Sequence, residues 1–104
     1  MTSVVYPNWR DQVVFSADGP KPKVLLESPH FKVVLVGLEP GQKIPVHPAP
    51  AAVYHVLDGS GWITVAGERV AIEPGALVVV AEGAPRGFEA RTRLVFMGSR
   101  GAGQ

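Results

Sequence analysis

Short runs of β-branched and aliphatic residues recur along the chain, and each is bounded by glycine, proline or a small group of charges. That rhythm predicts strands joined by tight turns. The runs are Gln12–Ser16, Lys23–Glu27, Phe31–Leu38, Ala52–Leu57, Trp62–Val65, Arg69–Ile72, Ala76–Ala81, Gly87–Ala90 and Arg93–Met97. No run has the length and period of a helix. Only Asn8-Trp9-Arg10-Asp11-Gln12 predicts a single helical turn, with the Asn8 side chain accepting from the backbone amides that follow it. From Gly98 onward the chain has no apolar pattern to bury, which predicts a mobile tail over 98–104.

Three turns can be placed from residue chemistry. Asp58-Gly59-Ser60-Gly61 lies between two β-rich runs, and glycine tolerates the positive φ of a tight hairpin, so 52–57 and 62–65 are expected to pair. Pro40-Gly41 and Pro74-Gly75 each follow a glutamate and precede another run. They match type II turns with proline second and glycine third, and read as two similar sheet corners rather than as a duplicated domain.

Composition narrows the class. At 104 residues, with 46% hydrophobic and 18% charged residues, the chain is expected to form one globular domain with its own core. The opening Met1–Pro7 has neither a basic region nor a continuous apolar stretch of the kind a secretion signal carries, so the expected address is cytoplasmic. With no cysteine, three histidines and nine acidic residues are the side chains left for metal or acid-base work. The net charge of +1 comes without a block of Lys or Arg. Nucleic acid and membrane are therefore not expected partners. No Ser-His-Asp order, Gly-x-Ser-x-Gly elbow or phosphate loop is present, so nucleophilic catalysis has no support.

The segment Leu38–His47 resembles the opening of the first cupin motif, a glycine followed by five residues and a histidine, here Gly41 and His47. Val53–Gly61 is similar to the family's strand and turn. The second motif runs from Gly75 to Ala81, where the family prefers proline, then Gly83, then Arg86, where it has histidine. The resemblance implies an all-β fold, the cupin-type double-stranded β-helix or jelly-roll barrel. It places the barrel core at about 22–98 of a single domain spanning 1–104, with a short N-terminal arm and the mobile tail. It also implies a homodimer, formed through sheet edges near the apolar N-terminal strands and the outward face carrying His55.

Metal-binding cupins use two histidines separated by one residue, a nearby glutamate, and a histidine from the second motif. In this chain His47 stands at the first of those positions. Ala49, Ala52 and Arg86 fall at the other three, so no metal is expected, since an open catalytic site still needs about three protein ligands. The alternative is a divalent ion such as Zn, Mn, Fe or Ni on His47 with His55, in an oxygenase or isomerase with an unusual ligand set. Strand alternation places His55 on the opposite face from Ala52, as a surface or interface residue, unless a bulge reverses the parity. His30 reads as a loop residue.

Arg86, by the same resemblance, points into the mouth of the barrel. There it must meet a carboxylate, a phosphate or water, or else pair with Glu82 or Glu89 or reach the rim. Tyr54 shares the parity of Ala52 and is a candidate to line the pocket, while Trp62, beside the turn glycines, reads as packing. The expected ligand-binding set is Arg86, His47 and Tyr54. The favoured function is a small-molecule binding barrel for an anionic guest. The alternative is an enzyme, metal-dependent or a metal-free isomerase moving a proton through His47 or Tyr54.

Overall fold

The computed structural model describes residues 3–101, and its strands follow the apolar runs closely. After one 3-10 turn, Trp9–Asp11, come β1 Lys23–Glu27, β2 Phe31–Leu38, β3 Lys43–His47, β4 Ala52–Asp58, β5 Gly61–Val65, β6 Glu68–Ile72, β7 Leu77–Val80, β8 Arg86–Ala90 and β9 Leu94–Gly101. Asn8 caps the 3-10 turn as its chemistry predicts, its Oδ1 accepting from Arg10 N at 3.1 Å. The strands form two antiparallel sheets, ordered β1-β2-β9-β4-β7 and β3-β8-β5-β6. The fold is all-β, a double-stranded β-helix.

Alternation decides which side chains make the core. On β4, Ala52, Tyr54 and Val56 are buried while Val53 is exposed and His55 half-buried, and on β9 Leu94 and Phe96 turn inward with Arg100 on the same parity. Leu38, Val56 and Leu94 are fully buried, each contributing about 1.5–3 kcal/mol through apolar burial.

The two Pro-Gly steps are sheet corners. Gly41 and Gly75 have φ of 84° and 93°, and Gln42 N and Ala76 N donate to Glu39 O and Glu73 O, each at 3.0 Å. The first carries the chain from β2 in one sheet to β3 in the other. The second brings it back from β6 to β7.

Four expectations need correction. The Asp58–Gly61 turn does not pair its flanking strands: β4 joins β7 and β9, while β5 joins β6 and β8. The turn switches sheets because it is pressed against its neighbours. A Cβ on Gly59 would stand 1.6 Å from Arg93 O, and Ser60 O accepts from both Arg91 N and Thr92 N.

Residues Gln12–Ser16 form no strand, although Val13 and Phe15 are half-buried. They lie on β2 at Gly37, where a Cβ would stand 2.7 Å from Val14 O, and Gln42 Nε2 ties them down by donating to Ser16 O at 2.6 Å. The tail expected to be mobile from Gly98 is strand as far as Gly101, paired with β2 and β4. The remainder, 102–104, lies outside the described residues. Finally, β3 was not expected, because Pro45 interrupts its run. It is an edge strand, where a residue without N–H costs the ladder little.

Candidate functional site

Between the sheets lies a cavity of about 350 Å³ whose walls are successive rungs of inward-facing side chains. In the five-stranded sheet, cross-strand register gives a rung of Lys32, Arg100 and Ala52, then one of Val34, Gly98 and Tyr54, then one of Val36, Phe96 and Val56. In the four-stranded sheet the corresponding rungs are His47, Arg86 and Val65, then Ile44, Phe88 and Ile63. The basic residues thus share the outer rung of each sheet. Aromatic and aliphatic residues fill the rungs beneath.

His47 reaches the cup because β3 carries a bulge. Ile44 pairs with Phe88 and His47 with Arg86, so three residues of β3 advance against two of β8. Without the extra residue Val46 would face inward; with it, Val46 is exposed and His47 lines the cavity. His47 Nδ1 lies 2.8 Å from Pro45 O. A carbonyl only accepts, so Nδ1 carries the proton and Nε2 is the atom left for a guest.

Arg86 is only 1% exposed, and neither Glu82 nor Glu89 pairs with it. Glu82 is exposed, and Glu89 meets Arg69 at 3.3 Å. Backbone carbonyls hold the guanidinium instead. Nε donates to Ala84 O at 2.9 Å, Nη1 to Pro50 O at 2.7 Å, and Nη2 to Ala49 O at 3.0 Å and Ala81 O at 3.2 Å, while Nη1 also reaches Tyr54 Oη at 3.4 Å. These contacts match the five N–H groups of a guanidinium. Arg86 therefore cross-links the 49–50 and 81–84 loops and lends the cup its charge, but keeps no hydrogen-bond donor in reserve.

Tyr54 lies on the cavity wall, as strand parity predicts, inside an aromatic cluster. Its ring meets Phe88 and Phe96 edge-on, at centroid distances of 5.0 and 5.7 Å, and those two stack on each other at 4.1 Å. Gly98 makes room for it: a Cβ there would stand 3.1 Å from Tyr54 Cε1.

The three expected ligand-binding residues, Arg86, His47 and Tyr54, all line this one cavity, together with Ala49. His55 does not join them. It is half-buried on the opposite face of β4, so the alternative pair of His47 and His55 is split between the inside of the barrel and its outside. His30 is exposed in the β1–β2 turn, and Trp62 lies under the Arg69 guanidinium at 4.2 Å. Among the described residues no three His, Cys, Asp or Glu side chains gather where they could share an ion.

Lys32 and Arg100 were not anticipated as site residues. Their signal is parity: Lys32 is in step with the core positions Val34, Val36 and Leu38, and Arg100 with Leu94 and Phe96. Reading the chain after Gly98 as patternless concealed the second of them.

A family model described as Cupin domain matches residues 34–97. The fold is similar to that of a conserved protein of unknown function from Streptococcus pyogenes, with 19% identity over 100% of this chain and 92% of that one and a TM-score of 0.86. An RmlC-like cupin protein from Desulfovibrio desulfuricans is 25% identical over 97% of this chain and 96% of its own, with a TM-score of 0.80. The barrel also occurs within an enzyme, a salicylate 1,2-dioxygenase variant from Pseudoaminobacter salicylatoxidans, with 20% identity over 81% of this chain and 26% of that one and a TM-score of 0.73. No curated protein matches the chain in sequence. No helix among the described residues is long and apolar enough to cross a membrane.

Proposed function

The chain belongs to the cupin domain family, and from that premise we propose that its barrel is a binding cup for a small organic anion and that its metal site is degenerate. One observation carries the reading: Lys32, His47, Arg86 and Arg100 all line the cavity, and among the described residues no carboxylate does, Glu27 meeting Lys32 from an exposed position outside the lining. A partly buried site lined by one sign of charge attracts the opposite sign, and the surrounding low dielectric strengthens that attraction. Aromatic and aliphatic walls suit the organic remainder of such a guest.

The donor set does not fit a divalent ion of the family type. At the positions implied by the motifs stand one imidazole, two methyl groups and a guanidinium whose N–H groups are already donated to carbonyls. An imidazole with no second protein ligand falls short of the three that open metal sites use. The cation at the centre of this cup is the arginine itself.

The test is a thermal screen of small mono- and dicarboxylates, phosphate and neutral analogues at fixed pH and ionic strength. A ligand present at one hundred times its Kd stabilises the fold by about 2.7 kcal/mol, a shift of roughly 10–20 °C for a domain of this size. At least one anion is expected to raise Tm while its neutral analogue does not. If no anion moves Tm, the cup is not an anion site.

A further inference from the structure

Resting on the binding-cup reading, we infer that the guest is a small carboxylate bearing a second, neutral oxygen, as hydroxy and oxo acids do. Arg100 holds its carboxylate, and the hydroxyl of Tyr54 donates to the neutral oxygen.

The head group is assigned by which cations of the cup the protein has already engaged. Arg86 has given its N–H groups to Ala49, Pro50, Ala81 and Ala84. Lys32 faces Glu27 directly across the β1–β2 ladder, with their charged atoms 3.9 Å apart. His47 directs Nδ1 to Pro45 O at 2.8 Å. Arg100 is the cation left over. It is half-buried on the cavity wall, and its neighbours in register, Lys32 and Ala52, have no side-chain acceptor to offer it. Among the described residues its guanidinium makes no hydrogen bond or ion pair, whereas those of Arg69, Arg86 and Arg93 all do. A guanidinium in that state presents a planar fork that matches the two oxygens of a carboxylate.

The second contact is a proton. Tyr54 is 8% exposed, and its Oη accepts from Arg86 Nη1 at 3.4 Å. A phenol also has one proton to donate, and among the described residues the Tyr54 proton meets no acceptor. A buried donor without a partner is costly, so an acceptor brought by the guest is favoured there. The β4–β9 register pairs Ala52 with Arg100 and Tyr54 with Gly98. Tyr54 and Arg100 are therefore diagonal neighbours on the inner face, with backbones about 7–8 Å apart and side chains long enough to reach one small molecule. A carboxylate gripped at both oxygens by the fork leaves the phenol to a different oxygen of that molecule. A carboxylate with no other acceptor would leave the Tyr54 proton as it was.

The experiment is calorimetric titration of the whole chain with lactate, pyruvate, propionate, lactamide and inorganic phosphate at fixed pH and ionic strength, repeated on Tyr54→Phe and Arg100→Met. At least one of lactate and pyruvate is expected to bind about fivefold or more tighter than propionate, the net worth of one hydrogen bond, and which one identifies the neutral oxygen as hydroxyl or carbonyl. Neutral lactamide should bind at least about tenfold more weakly than lactate. Tyr54→Phe keeps the ring and should bring lactate and pyruvate down to propionate while leaving propionate unchanged, a pattern that general loosening of the cup would not give. Arg100→Met should weaken all three carboxylates about tenfold or more. If circular dichroism shows that variant unfolded, Arg100→Lys, which keeps the charge and loses the fork, replaces it with the same expected direction. Propionate binding as tightly as lactate and pyruvate, or Tyr54→Phe weakening all three alike, would overturn the second contact. Carboxylate binding unchanged in the Arg100 variant would overturn the head-group assignment, and binding of phosphate alone would overturn the carboxylate class. Each of these leaves the anion cup standing. If no anion binds, the cup itself fails.

Discussion

The ring of Tyr54 lies against the backbone of Gly98, so closely that a Cβ on the glycine would stand 3.1 Å from Cε1 and 3.2 Å from Cδ1. The glycine is thus one wall of the cup, and any side chain there displaces the tyrosine. Gly98→Val is expected to destabilise the fold by about 1–3 kcal/mol through overpacking and to abolish the ligand-induced rise in Tm. Urea unfolding, and thermal melting with and without the small anion that raises Tm of the parent, check both. A variant that keeps its ligand response would show that binding does not depend on the packing of Tyr54 on Gly98.

Arg86 joins two loops through four carbonyls, and its removal leaves those oxygens without their donor. Arg86→Met is expected to cost about 2–4 kcal/mol by denaturant unfolding, even with no ligand present. Arg86→Lys should recover only part of this, since an ammonium cannot span both loops with a planar fork. A loss below about 0.5 kcal/mol for the methionine variant would contradict the cross-link.

Metal analysis of protein purified without a histidine tag is expected to find no stoichiometric transition metal. The expectation follows from the donors: His47 faces the cup, His55 faces away from it, and Ala49 and Ala52 have nothing to coordinate with. One equivalent of zinc, manganese, iron or nickel that disappears in His47→Ala would reverse it.

A homodimer is expected to form through the outer face and free edge of the five-stranded sheet. Leu77 and Val79 on edge strand β7 are 68% and 78% exposed, with Val53 and His55 beside them in register. An uncovered apolar edge of this kind invites pairing. Sedimentation at micromolar concentration should give twice 11.0 kDa, and Val79→Lys should return the monomer. A monomeric parent protein would end the proposal.

Acid should loosen the N-terminal arm. Arg93 donates from Nε to Glu39 Oε1 at 2.6 Å and lies over the Phe15 ring at 4.4 Å, and that hydrogen bond holds the Glu39 carboxyl below its ordinary value of 4.5. A lowered folded value means the stabilisation is fully present above the unfolded carboxylate range and is lost as pH falls through the folded one. The Tm difference between parent and Glu39→Gln should therefore shrink as pH drops below 4.5, and salt should shrink it too, because the pair is exposed. A difference that stays constant with pH would show that the carboxylate charge contributes nothing.

The strand rhythm and the two Pro-Gly corners were legible because each rests on local chemistry: alternation in the first case, a positive φ in the second. What was hidden depends on the partner of a segment. Nothing local distinguishes Asp58–Gly61 as a sheet switch from a hairpin, since both need Gly59 at positive φ and only contact with Arg93 decides between them. Val13 and Phe15 alternate like a strand yet are half-buried by packing on Gly37 without a ladder. The inward parity of Tyr54 and the outward parity of His55 could be counted along one strand. The place of His47 could not, since it depends on a bulge.

The carbonyl cage around Arg86 has a consequence for the supply of the site. In a metal cup the central positive charge is borrowed from the surroundings and can be withdrawn by a chelator, altered by an oxidant or replaced by a competing ion. Here it is encoded in the chain and arrives when translation and folding are complete. On the proposed metal-free reading, the cup's electrostatic character is inherited with residue 86 and is indifferent to metal scarcity.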